Sequence, residues 1–266
     1  MILFKRNYSI LTGDEKEEWE KIKESEIINH GGFKVRKQRY YDYPKAARHY
    51  LSLFPNNFLD PADLLKIEDL NVTLSEFEIV LNITTTSERE ILNFINKEPN
   101  IFIICSVLKK YCHFGHHNAF VIPEFQLGSS HVADYLIIGK SSSGYEFVFI
   151  ELENPSGKIT LQDGNYGETI RKGLIQISDW QQWLEANFIS LRELFDKLKH
   201  PDKTLTSEFI NYDKTRFNYL LIVGRRCDFK EKTRRLNREQ IANRTTIIHY
   251  DNLIESVNMA IGNPPY

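Results

Sequence analysis

The sequence predicts an α/β or α+β fold, and three observations carry this. Residues 119–125, 132–139 and 145–153 are three runs rich in β-branched and aromatic residues. Residues 168–188 carry a helical stripe of Ile170, Leu174, Ile177 and Leu184. Around them the patterns run helix, several strands, long helix, strand, strand, helix.

Each element has a local reason. Residues 14–27 form a short charged helix, with Trp19, Ile22 and Ile27 available to pack. Gly31-Gly32 then breaks the chain before a strand over 33–41. Asp60-Pro61 starts a helix, with Asp60 as cap and Pro61 in the first turn. The run Thr84-Thr85-Thr86-Ser87 reads as a linker, and Ser87 with Glu90 makes a capping box for a helix through Lys97. Residues 101–111 are apolar and helical. Beyond the long helix lie strands over 217–223 and 245–250, and Asn252 caps a final helix.

Composition narrows the class. The chain has 266 residues, of which 41% are hydrophobic and 26% charged, the balance of an ordered globular protein. No apolar run approaches the roughly 18 residues of a membrane-spanning helix. Met1 to Arg6 places its charges after a short apolar patch, the wrong order for a signal peptide, so a cytoplasmic protein is expected. Cys105, Cys112 and Cys227 include no CxxC pair and fit a reducing compartment. The net charge of −2 gives no overall attraction to nucleic acid, so any such binding must be local. Residues 14–26 hold seven acids against three lysines, and residues 225–244 hold eight bases against three acids. A solvated face is the plain reading of either run.

Residues 131–153 are the most informative. Two apolar strands flank a turn at Ser141–Gly144. Symmetric pairing about that turn sets Asp134 opposite Glu151, with Glu153 two residues on along the same face. Like charges in such positions are destabilising unless a cation or a proton lies between them. Carboxylate oxygens suit Mg²⁺, which binds through one or two carboxylates plus substrate phosphate. Asp134 and Glu151 are therefore candidate metal ligands, with the backbone carbonyl of Leu152 as a further one. The alternative is a shifted register in which the acids merely end exposed strands.

These residues resemble the metal-binding core of the PD-(D/E)xK nucleases. More narrowly, Glu124-Phe125-Gln126-Leu127-Gly128 ahead of Ala133-Asp134-Tyr135 is similar to the nuclease domain of Shedu anti-phage defence proteins. So are Phe149-Ile150-Glu151-Leu152-Glu153-Asn154-Pro155 and Gln176-Ile177-Ser178-Asp179-Trp180. The resemblance covers roughly residues 85–260. It implies an α/β fold with a restriction-endonuclease-like core, a central mixed β-sheet flanked by helices, and a small α+β amino-terminal region. Residues 1–84 would be that region, with a regulatory role, and residues 85–266 the nuclease domain. It also implies Mg²⁺-dependent cleavage of double-stranded phage DNA, with Mn²⁺ as the expected substitute, and a homo-oligomer, dimer or tetramer. Asp134 and Glu151 would hold metal. Glu124 would add a carboxylate or orient a water, and Gln176 would sit beside the active site with Trp180 following.

One departure matters. The superfamily pattern has a lysine where this chain has Glu153. Glu153 would serve as a further ligand or general base, and the missing cation would come from Lys172, one helical turn before Gln176, or from Lys158. The alternative is a catalytically inactive nuclease-fold module that binds DNA or a partner protein. Arg225, Arg226, Arg234, Arg235 and Arg238 are the candidates for flanking phosphates.

Other groupings have plainer readings. Cys112-His113-Phe114-Gly115-His116-His117 is dense in soft ligands, with Cys105 and His131 as nearest additions, but lacks the second pair of a zinc site. The plain reading is a helix end with a packed cysteine. Asn154-Pro155-Ser156-Gly157-Lys158 lacks the other elements of a phosphate loop and reads as a turn. Trp180, Trp183 and the tyrosines at 40, 41 and 43 could stack on bases, with core packing the simpler expectation.

Overall fold

The computed structural model describes residues 7–36, 49–97, 100–112, 114–115 and 117–263. Tyr40, Tyr41, Tyr43, His113 and His116 lie outside them, as does the end of the strand expected over 33–41.

Helix α1 (Gly13–Ser25) starts at a capping box in which Thr12 and Glu15 satisfy each other's backbone N–H groups. Trp19 and Ile22 pack with Leu11 in a small cluster of their own. Ile27 is not part of that helix. It opens strand β1 (Ile27–His30), which pairs with β2 (Phe33–Arg36) across Gly31-Gly32. Both glycines have positive φ, as a two-residue hairpin turn requires.

Asp60-Pro61 begins only a 3₁₀ turn, Pro61–Leu65. Helix α2 (Ile67–Asn82) follows and buries Leu70, Leu74, Phe77 and Leu81 at helical spacing. Helix α3 (Glu88–Ile95) carries the expected Ser87–Glu90 capping box. The apolar stretch 101–111 forms two short helices, α4 (Phe102–Cys105) and α5 (Val107–Tyr111), not one.

The central sheet has strands β3 (Asn118–Leu127), β4 (His131–Ser141), β5 (Gly144–Leu152), β6 (Phe217–Ile222) and β7 (Thr245–Ile248), in that order. β3, β4 and β5 are an antiparallel meander, whereas β6 and β7 add in parallel. The sheet is therefore mixed. Parallel neighbours need long crossovers. Helices α6 (Glu168–Asn187) and α7 (Arg192–Leu198) make the first, and α8 (Glu231–Gln240) lies in the second. Helix α9 (Tyr250–Ala260) closes the fold, capped by the His249 side chain and not by Asn252.

Two apolar layers cover the sheet. Tyr135, Ile137, Val148, Ile150, Leu220 and Ile222 face α2, α3 and α9. Leu136, Ile138, Phe147, Phe149, Phe217 and Leu221 face α6 and α7. The segment at 57–59 lines the outer edge of β3 through bonds between Asn57 and Val121 and between Leu59 and Ala119. Covering that edge blocks pairing with another chain. Phe54 and Phe58 join the α6 layer and Leu59, Leu64 and Phe77 the other, so residues 53–81 share both cores.

Phe147 is fully buried among the rings of Phe188, Phe195, Phe209 and Phe217. Phe147→Ala should cost about 3–5 kcal/mol in urea unfolding. A loss under about 1 kcal/mol would contradict this packing.

Candidate active site

The β4–β5 register agrees with symmetric pairing: Tyr135 opposes Ile150 and Ser141 opposes Gly144. The turn is shorter than expected, because Ser141 and Gly144 pair and only Ser142-Ser143 turn. At the other end the ladder stops at Tyr135 and Ile150. From there β4 stays with β3 and β5 stays with β6, so the sheet forks.

Asp134 sits in this fork. Its Oδ2 accepts a hydrogen bond from the Leu152 N–H at 2.7 Å, replacing the missing ladder bond. Glu151 is buried, and its Oε2 has no hydrogen-bond partner among the described residues. Burial pushes the Asp134 carboxyl up, and Glu88, Glu153 and Glu124 push it further while the Leu152 N–H opposes. Burial likewise raises Glu151, with Asp134, Glu153 and Glu88 adding to the rise. Asp134 thus raises Glu151, and both are raised by Glu88 and Glu153, as expected where like charges share one low-dielectric site.

Glu153 lies just past β5. Its N–H donates to the Ile222 carbonyl and its own carbonyl accepts from the Tyr250 hydroxyl at 2.8 Å. Its carboxylate meets Lys172 Nζ at 3.1 Å. Gly173 makes this contact possible. A Cβ there would stand 2.5 Å from Leu221 Cδ1 and 3.2 Å from Glu153 Cγ, so only glycine lets α6 approach the strand ends so closely. Lys172 therefore stands beside Glu153. Lys158 is exposed in the following loop, and its carbonyl accepts from Thr169 N.

Two participants escaped the sequence reading. Glu88 and Arg89, in the first turn of α3, reach the fork from the opposite face of the sheet. Glu88 Oε2 lies 3.6 Å from Lys172 Nζ, and Arg89 Nη1 lies 3.3 Å from Glu124 Oε1. Glu124 is exposed, faces the Asp134 position across β3–β4, and has φ of 47°. A left-handed glutamate is a strained conformation, one that clusters at functional sites. It resets the strand alternation, so that Ile122 and Phe125 enter the same core layer. The available signal for α3 was the capping box; its distance to the fork is tertiary and was not readable.

Gln176 is half-buried and shares an open groove of 650 Å³ with Arg171, Lys172, Ile175 and Val132. Trp180 lines the groove from the core, and Trp183 packs against the β3–β4 turn at Gly128.

The donor set suits a hard cation. Both carboxyls are raised by burial and by neighbouring acids, and an unpartnered buried oxygen belongs to Glu151. Among the described residues no three His, Cys, Asp or Glu side chains are arranged to hold one ion. Two carboxylates with water and phosphate making up the remainder is the Mg²⁺ pattern.

The family described as Shedu protein SduA, C-terminal, matches residues 85–254. The chain belongs to the Shedu family. No curated protein matches it. Among solved structures it is similar to the restriction endonuclease FokI bound to DNA, at 17% identity over 88% of this chain and 35% of that one, with a TM-score of 0.35. This chain therefore spans about a third of the FokI chain. The Shedu match includes Glu88, Asp134, Glu151, Glu153 and Lys172.

The basic run of this Shedu chain divides in two. Arg225 forks onto Asp251 at 2.9 Å and donates to the Leu81 carbonyl, tying α2 to α9. Arg226 pairs with Glu255. Arg235 pairs with Glu239 along α8, while Arg234 and Arg238 are exposed and have no ion pair among the described residues. In the cysteine- and histidine-dense stretch after α5, Cys112 is half-buried and burial pushes its thiol up to about 12, while buried Cys105 is raised further. His117 lies 3.3 Å from the Ser142 hydroxyl. Among the described residues no helix is long and apolar enough to cross a membrane.

The raised carboxyls make stability depend on pH. Their neutral forms contribute fully below the ordinary carboxylate range near pH 4, and that contribution is lost as pH rises through the raised values. Glu151→Gln, neutral throughout, should melt at least about 2 °C above wild type at alkaline pH without divalent metal, and this gain should vanish near pH 4. Parallel melting curves across that range would contradict the buried charge.

Proposed function

We propose that this Shedu chain is a Mg²⁺-dependent DNA endonuclease of anti-phage defence. The observation that carries the reading is the fork, where half-buried Asp134 and buried Glu151 share one site, with Lys172 held at the neighbouring Glu153. Asp134 and Glu151 would hold the cation, with the Leu152 carbonyl as a further ligand, and Mn²⁺ would substitute. When bound, the cation supplies Lewis acidity at the scissile phosphate and lowers the pKa of a water.

This chain's own residues do the rest. The Leu152 N–H orients the Asp134 carboxylate. Lys172 offsets the negative charge that develops on the phosphate, the task the superfamily gives to a lysine at the position of Glu153. Glu153, already engaged by Lys172, acts as the anchor of that cation and not as a ligand. Glu124 stands at the rim, where it would orient a water. Gln176 faces the groove along which substrate approaches. Arg234 and Arg238 are free for flanking phosphates, whereas Arg225 and Arg226 serve the fold. Residues 1–84 as a regulatory region, phage DNA as the target, a homo-oligomer and a cytoplasmic location belong to the same reading.

Plasmid nicking tests it. With Mg²⁺ or Mn²⁺, wild type should nick DNA, and Asp134→Ala and Glu151→Ala should each lose at least about a hundredfold in rate. DNA binding with no nicking by wild type would favour an inactive binding module, to which the missing lysine at Glu153 lends its one support.

Neutralising Arg234 and Arg238 together should make the dependence of DNA affinity on salt shallower by about 1.8 logarithmic units per decade. An unchanged slope would assign that face of α8 to solvent.

A further inference from the structure

Lys172 poses a problem of positioning. Its side chain is 59% exposed, on a helix face bordering an open groove. Holding a lysine stem in one geometry costs rotamer entropy that a single exposed ion pair does not offset. Glu153 alone is a weak tether for such a group. A second carboxylate reaches Nζ from the other side of the sheet: Glu88, 3.6 Å away.

We propose that Glu88 is a positioning residue, which with Glu153 holds the Lys172 ammonium at the mouth of the fork and keeps it out of the groove. The proposal rests on reading the fork as the site of cleavage. Glu88 is well built for the task. The Ser87–Glu90 capping box fixes the turn that bears it. At the far end of α3, Asn96 Oδ1 accepts from the Tyr135 hydroxyl at 2.8 Å, so the helix is tied to β4 next to Asp134. Arg89 adds a second crossing, to Glu124. Helix α3 thus braces the fork from one face and α6 from the other, and Lys172 is where they meet. Glu153 is 2% exposed and Glu88 33% exposed, so the buried anchor is fixed and the outer one is accessible to exchange with a phosphate.

The experiment has two arms. In the first, metal-free and DNA-free protein is treated briefly with an amine-reactive reagent, and labelling at Lys172 is quantified by mass spectrometry. Glu88→Gln should raise labelling about threefold or more, with Lys199 as an internal standard that does not change. In the second, single-turnover nicking is compared for Glu88→Gln, Lys172→Gln and the double variant. Glu88→Gln should slow nicking about threefold or more, and the double variant should be no slower than Lys172→Gln alone, since Glu88 acts only through Lys172. Equal labelling in wild type and Glu88→Gln, or losses that multiply in the double variant, overturns the positioning role alone. Wild-type protein that nicks no DNA overturns the nuclease reading, whatever the labelling shows, and leaves no reaction for Glu88 to serve.

Discussion

The molecule depends on a sheet that forks while it is still buried. At Tyr135 and Ile150 two strands stop pairing, and the opening is filled by carboxylates instead of apolar side chains. A buried carboxylate that is neither paired nor hydrogen-bonded is among the costliest things a fold can hold. Asp134 has a backbone donor and Glu153 has a lysine, while one oxygen of Glu151 has neither. Glu151 is what marks the fork as a candidate site.

The rest of the architecture serves this opening. The antiparallel meander carries Asp134 and Glu124, and the antiparallel-to-parallel change at β5 puts Glu151 and Glu153 at the C-terminal end of a parallel pair, where open α/β sheets bind ligands. Parallel addition of β6 and β7 requires crossovers, and the first of them is α6, which delivers Lys172. The close approach at Gly173 then turns a long exposed side chain into a near neighbour of Glu153. Helix α3 arrives from the other face with the opposite pairing of charges, an acid on Lys172 and a base on Glu124.

Much of this was legible in the sequence, for a reason that also marks the limit. The register of β4 and β5 follows from period-two alternation and a turn of small residues, so the meeting of Asp134 and Glu151 could be placed from residues 131–153 alone. The turn itself was misjudged by one pair, because Ser141 and Gly144 extend the ladder. Lys172 followed from helical spacing, although only Gly173's neighbours explain its reach. Contacts between elements distant in sequence were not legible. Glu88 and Arg89 stood in plain view behind a capping box, yet nothing local says that α3 points at the fork. The division of the basic run was hidden for the same reason: eight bases within twenty residues say nothing of Asp251 and Glu255, which pair with Arg225 and Arg226.

The central claim is that the fork is a cation site made by half-buried Asp134 and buried Glu151, whose carboxyls are both raised by burial and neighbouring acids. Calorimetric titration of the metal-free protein with Mn²⁺ near neutral pH, repeated in buffers of different ionisation enthalpy, tests it most directly. The account predicts saturable binding with release of protons, as expected when a cation displaces them from carboxyls of raised pKa, and loss of both heat and protons in Asp134→Asn and in Glu151→Gln. Binding that survives both substitutions, or no binding by wild type, would contradict it.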